Sequence, residues 1–264
     1  MGTFTQATAV TGQDGTFHAD LDPQWAVGTK LHGGYLLAVL GRAALIGQEH
    51  PHLTTISGTF LVSPGPGPAE IRVETLRSGR TTANLRAQLV QGGRICLDAQ
   101  LTLGVLDEAD SWWAREEPVE LPEEAACFRS PADAGGGFTI PLFDVVEQRL
   151  HPGNLGFAVG QPGRTGSIAG WQRLADGSDW DPLSLLVALD PVPPVSYDLG
   201  IPGWVPTIQL TAYLRRLPAP GAVRVRLRAD DVVGERMDET AHVWDAKGRL
   251  VAQATQYAAV RLPG

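Results

Sequence analysis

Only two cysteines, Cys96 and Cys127, occur among 264 residues. Two thiols are too few for a disulfide framework or a cysteine metal site, and Cys96, inside an apolar strand, reads as a small core hydrophobe. No apolar run approaches the roughly 20 residues needed to span a bilayer, so no membrane span is expected. Met1 to Asp14 has neither a basic n-region nor an apolar h-region, and the chain reads as cytoplasmic. Positive charge is also scarce: the formal net charge is −8. That balance argues against nucleic-acid binding, which needs a basic footprint. A phosphate-bearing small molecule needs only a local cluster of arginines. Arg77, Arg80, Arg86 and Arg94, with Arg215 and Arg216, are available for one, although solvated strand faces are the commoner explanation for such charges. No Gly-x-Ser-x-Gly elbow is present, which argues against a serine-nucleophile α/β-hydrolase. The nearest approach to a metal motif is His50-Pro51-His52. Its proline keeps the imidazoles extended, so neither metal nor other cofactor is expected.

What the chain does contain is one structural phrase stated twice, about 150 residues apart. Thr59 to Leu103 reads as a strand, a Pro/Gly turn, Ile71-Arg72-Val73, then a strand entering Gln91-Gly92-Gly93-Arg94 and an apolar run. Thr211 to Val260 repeats the order, with Val223-Arg224-Val225 and Ala246-Lys247-Gly248-Arg249 in the matching places. Each Gly-Arg pair suits a hairpin tip, where glycine takes positive φ at no steric cost. A repeat of this length implies two similar subdomains rather than a solenoid, and the seam between them is a natural place for a site.

Each half also contains a helix signal. From Gly34 to Ile46 the chain is apolar nearly all round apart from Arg42, as in a buried helix; the helix is expected over 32–46. A second is expected over about 181–190, with Asp181 as N-cap and Pro182 at the first helical position, stopped by Pro191, Pro193 and Pro194. Short alternating runs such as 55–61 and 84–90 suit antiparallel sheet, and 142–150 and 167–174 read as further strands. The expected fold is α+β: two antiparallel sheets, each wrapped around a central helix and related by a pseudo-twofold axis. Edge strands of the halves should pair into one continuous sheet, because unpaired edges are a liability. The boundaries fall at 1–105, 106–140 and 141–264. The middle segment is an acidic connector crossing the surface, pinned by Trp112 and Trp113.

The residues at these places resemble the acyl-CoA thioesterase II-like enzymes, a family with a double hotdog fold. In the first half the resemblance rests on His32-Gly33-Gly34 and on Val73-Glu74-Thr75-Leu76-Arg77-Ser78-Gly79. In the second it rests on the 183–190 helix, on Pro206-Thr207-Ile208 and on Ala254-Thr255-Gln256. It spans most of the chain and is loose over 106–165. It implies hydrolysis of a fatty acyl-CoA thioester to free acid and CoA by direct water attack, with acyl-CoA as the ligand and Asp190, Thr207 and Gln256 holding the water. Such chemistry is sound: a base takes the water's proton while hydrogen bonds fix its approach. Taken singly, each residue has a plainer reading, Asp190 as a helix end, Thr207 as an ordinary strand threonine and Gln256 as an exposed strand glutamine.

The implied substrate-binding group is His32, Gly33 and Gly34, with Arg77 and Arg80 toward the CoA phosphates. The glycine N–H groups at a helix start suit an oxyanion or a pantetheine carbonyl, while close helix–sheet packing is the alternative. For His32 the alternative is a satisfied, partly buried histidine. Two departures stand out: Gln209, where relatives often have an acidic residue followed by histidine, and the proline-rich 191–195, which bears on the acyl tunnel. Two other functions stay open. A hotdog hydratase or dehydratase uses an Asp/His dyad, and no histidine lies close to Asp190 in sequence. A non-catalytic acyl-CoA binding protein would keep the tunnel without water activation. A homo-oligomer is also left open.

Overall fold

A computed structural model describes residues 3–135 and 137–262. In the first half, α1 (Phe4–Ala7), β1 (Thr11–Gln13), β2 (Thr16–Leu21), β3 (Ala26–Val27) and β4 (Lys30–Leu31) lead into the long helix α2 (Gly33–Leu45). It is followed by β5 (His52–Phe60), β6 (Gly67–Ser78), β7 (Ala83–Gln91) and β8 (Arg94–Gly104). The second half brings β9 (Phe128–Arg129), α3 (Leu142–Val145), β10 (Val146–Leu150) and β11 (Ser167–Leu174) before the single-turn α4 (Leu185–Ala188). It ends on β12 (Thr207–Leu214), β13 (Val223–Val233), β14 (Arg236–Trp244) and β15 (Leu250–Ala259).

The expected pair of sheets is in fact one. Thirteen strands join in the order β1-β2-β6-β7-β8-β5-β12-β15-β14-β13-β11-β10-β9. Outward from the central β5–β12 pair, β8-β7-β6-β2 is mirrored by β15-β14-β13-β11, so the repeat in sequence becomes a palindrome of strands. The halves fuse because β5 and β12 would otherwise each expose an edge. They pair antiparallel with Ser57 opposite Thr211, whose hydroxyls lie 2.8 Å apart. Among the described residues no helix is long and apolar enough to cross a membrane.

Helix α2 is buried on nearly every face, as its apolar sequence dictates. It meets the segment of α4 at a very close approach. A Cβ on Gly34 would stand 2.1 Å from the Leu186 carbonyl oxygen, and one on Gly41 would stand 2.8 Å from Leu183 Cδ2. Glycine is needed here for contact distance between backbones.

Three further expectations need correction. The second helix is far shorter than 181–190, because hydrogen bonds from Leu186, Val187 and Asp190 span three residues while those from Leu185 and Leu189 span four. Regular α geometry survives for one turn only. Asp181 does cap this coil: its carboxylate accepts the Ser184 N–H at 2.6 Å and its own N–H donates to Ser184 Oγ at 2.8 Å. The run 142–150 opens with the helical turn α3 rather than a strand. Finally, Trp112 and Trp113 do not pin the connector, being 100% and 73% exposed. Arginines of the second half hold it instead. Arg226 pairs with Glu116, Arg173 with Glu124 at 2.6 Å, and Arg216 donates to the Ala109 carbonyl at 2.8 Å.

Candidate active site

The start of α2 and the end of the α4 segment face each other, and their meeting defines the site. Tyr35 fixes the start of α2 from below. It stacks on Trp25 at 5.6 Å, donates its hydroxyl to the Ala7 carbonyl at 2.7 Å and accepts the Asp22 N–H at 3.0 Å. Burial pushes this phenol up to about 12, so it stays a neutral structural bolt. His32 is the N-cap: its Nδ1 accepts the Tyr35 N–H at 3.3 Å, which leaves the proton on Nε2. Nε2–H donates to the Asp190 backbone carbonyl at 2.5 Å and lies 3.5 Å from Asp190 Oδ2.

That clasp sets the Asp190 carboxylate against the helix terminus, where Oδ2 accepts the Gly34 N–H at 3.0 Å. The positive end of α2 complements a negative charge at this point. Gly33 leaves the carboxylate its room, since a Cβ there would sit 2.8 Å from Asp190 Oδ2. Pro191 follows Asp190 and ends the turn.

The opposite wall comes from the inner faces of β12, β14 and β15. On β15 the buried residues alternate through Ala252, Ala254, Gln256 and Ala258, so Gln256 projects into the protein rather than onto its surface. Across the register it meets Glu239 on β14, donating Nε2–H to Glu239 Oε1 at 2.8 Å. Glu239 is 2% exposed, and its Oε2 has no hydrogen-bond partner among the described residues. Burial, together with the nearby negative charge of Asp190, pushes this carboxyl up to about 8.

His32, Gly33, Asp190, Thr207, Glu239 and Gln256 all line one cavity of about 1030 Å³. Its remaining walls are largely apolar, including Phe138, Ile140, Phe143 and Phe157, and the proline segment 191–194 also borders it. Expected site residues from both halves thus converge. Gly34 contributes through its N–H alone, which is already committed to Asp190. Arg77 and Arg80 stand apart, exposed at the β6–β7 hairpin and absent from the cavity wall. Arg164 is the one arginine that lines the cavity among the described residues. Arg249, at the hairpin tip of the second half, is held by the fully buried Asp245 carboxylate at 2.7 Å.

Glu239 is the residue that sequence reasoning missed. A signal was available: Met237, Glu239, Ala241 and Val243 form an inward-facing alternation on β14, so a carboxylate occupies a core position.

A fold of this kind is shared with a hot-dog-fold protein from Alicyclobacillus acidocaldarius, at TM-score 0.85 and 21% identity over 99% of this chain and 98% of that one. The acyl-CoA thioesterase N-terminal domain family matches residues 21–104, and the acyl-CoA thioesterase C-terminal domain family matches residues 118–260. The chain belongs to the acyl-CoA thioesterase family, hydrolases that act on thioesters. It is similar to a Thermobifida fusca protein provisionally described as a thioesterase II, at 34% identity and TM-score 0.89 over 98% of this chain and 97% of that one. It is also 31% identical to an uncharacterized Mycobacterium tuberculosis protein, over 92% of this chain and 90% of the relative.

Proposed function

We propose that the protein hydrolyses a fatty acyl-CoA by direct water attack, with Asp190 as base. Asp190 takes a proton from water as the water oxygen bonds to the thioester carbonyl carbon. The tetrahedral intermediate collapses with cleavage of the C–S bond, and the proton passes from Asp190 to the departing sulfur. The products are the free acid and the CoA thiol. Gln256 and Thr207 orient the water, which needs no ionisation of either. The Gly33 N–H is the first of helix α2 and has no acceptor among the described residues, so it suits the developing oxyanion. Apolar cavity walls suit an alkyl chain, and Arg164 suits a phosphate of the nucleotide.

The observation that carries this reading is the Asp190 carboxylate, clasped at the start of a buried helix and opening onto an apolar cavity that also holds Gln256 and Thr207. A hydratase reading gains a histidine that sequence spacing concealed, since His32 reaches Asp190 across the seam. Both of its ring nitrogens are committed, one to the Tyr35 N–H and one to the Asp190 carbonyl, which leaves none for proton transfer to substrate. The test is steady-state release of free thiol from acyl-CoAs of graded chain length. Turnover that rises with chain length supports the reading; tight binding without thiol release replaces it with a binding protein.

A further inference from the structure

We propose that Glu239 is a positioning residue of this site: it grips the Gln256 amide by its NH2 group, so that the Gln256 carbonyl oxygen is the end offered to the attacking water. The inference rests on the reading of the cavity as a hydrolytic site, and it adds a residue and a direction to it. An amide can present either end to a ligand, and its neighbours decide which. Here Gln256 Nε2 donates to Glu239 Oε1 at 2.8 Å, in the buried interior. With the NH2 end held, Gln256 Oε1 and the Asp190 carboxylate are two acceptors for the two hydrogens of one water. A water bound through both hydrogens turns a lone pair toward the thioester carbon, as attack requires. Were the amide reversed, its NH2 would compete for that lone pair.

The surroundings of Glu239 explain how a carboxyl can stand beside Asp190 without a second negative charge. Opposite it are Ala229 on β13 and Gln256 on β15, so neither neighbouring strand turns a charge toward it. On its own strand Asp238 and Thr240 take the other face by alternation. The titratable groups that share the cavity wall are Asp190, His32, Arg164 and Tyr197. Burial first, and Asp190 second, raise the carboxyl to about 8, so near neutral pH it is an uncharged acid. Above that pH a second anion would face the negative charge that develops on the substrate.

The experiment compares the parent, Glu239→Gln and Glu239→Ala between pH 6 and 10, by thiol release from acyl-CoA and by the ¹⁵N–¹H signal of the Gln256 side-chain amide. A glutamine at 239 still accepts from Gln256 and cannot ionise. It is expected to keep kcat within about threefold at pH 7 and to lack the parent's loss of activity above about pH 8. Glu239→Ala releases the amide and is expected to lower kcat by on the order of tenfold or more with little change in KM. In the parent, the Gln256 amide signal should titrate with a midpoint near 8 and stop doing so in Glu239→Gln. Parental kcat in Glu239→Ala, an alkaline loss that persists in Glu239→Gln, or an amide signal indifferent to pH would each overturn the proposal. A parent that releases no thiol would instead sink the hydrolytic reading, and the amide titration, which needs no turnover, would still decide whether Glu239 holds Gln256. If Glu239→Ala fails to fold, Glu239→Gln and the amide signal carry the test.

Discussion

Replacing Asp190 with asparagine isolates charge and basicity from shape. The asparagine carbonyl oxygen can keep the Gly34 N–H now accepted by Asp190 Oδ2 at 3.0 Å. The His32 clasp also survives, because its short bond goes to the backbone carbonyl of residue 190 rather than to the side chain. The Gly34 N–H dictates which end of the new amide faces it, since an NH2 there would oppose another donor. The amide's NH2 therefore turns to the cavity, a donor where the water needs an acceptor. General base catalysis contributes roughly 10²- to 10⁴-fold, or about 3 to 5 kcal/mol of barrier, and all of it should vanish. We expect kcat for thiol release from a saturating acyl-CoA to fall at least about 100-fold. KM and the thermal midpoint should move little. Turnover within about threefold of the parent would refute Asp190 as base.

Gly34→Ala drives a methyl group onto the Leu186 carbonyl oxygen, 2.1 Å away. It should cost on the order of 3 kcal/mol or more in chemical denaturation; an unchanged midpoint would mean the helices do not meet there. Glu239→Gln should also change how stability depends on pH. The carboxyl is raised from 4.5 to about 8, so the folded protein binds the extra proton between those values. The parent therefore loses stability as pH rises through that window, at up to about 1.4 kcal/mol per pH unit from this group. Glu239→Gln should lack this component, and melts at pH 5 and pH 9 should diverge in its favour. Arg164→Ala should raise KM for acyl-CoA about tenfold with kcat nearly constant, as for one lost charge-assisted bond. Pantetheine thioesters without the nucleotide should not register the change. Calorimetric titration with a non-hydrolysable acyl-CoA analogue should give one ligand per chain; two would contradict the asymmetry of the halves.

The extent to which this architecture can be read from sequence follows from what each segment interacts with. Helix α2 is legible almost to the residue, 32–46 expected against Gly33–Leu45 observed, because a helix apolar on all sides needs no partner to be recognised. Strand β11 lies at the expected residues, 167–174, although Ile168, Ala169 and Gly170 are buried in succession and burial alternates only from Gly170 onward. The second helix is not, since its apolar residues signal burial without fixing which hydrogen-bond span wins. Union of the sheets turns on an edge-to-edge pairing of residues as distant in sequence as Thr55 and Tyr213, foreseen only through the cost of bare edges. Within the site, Asp190, Thr207 and Gln256 stand out through family resemblance. The Asp190–His32 contact and the Glu239–Gln256 pair join distant positions that no local spacing reports. Arg77 and Arg80 lie outside the cavity wall, and exposure and charge on a strand say nothing about which side of the molecule the cavity opens.

The twofold repeat sets up two equivalent places for a site, yet the inner faces of the strands break the symmetry. On β7 that face carries Ala83, Leu85, Ala87 and Leu89, and on β8 it carries Leu97, Ala99, Leu101 and Leu103, all buried. The mirrored strands β14 and β15 carry Glu239 and Gln256 among their apolar residues. Polar groups at core positions cost stability unless they are paired, so a half without chemistry gains by filling those positions with leucine and alanine. The first half spends its symmetry differently. It supplies the long helix whose N-terminus holds Asp190, while the second half shortens its own helix to one turn and ends it in the carboxylate. Each half thus provides what the other lacks, a dipole and its amide donors from one, an acid and a polar wall from the other. On the proposed reading, a single catalytic centre at the seam would leave neither half functional without its partner, which would give a physical reason for the two to be held in one chain.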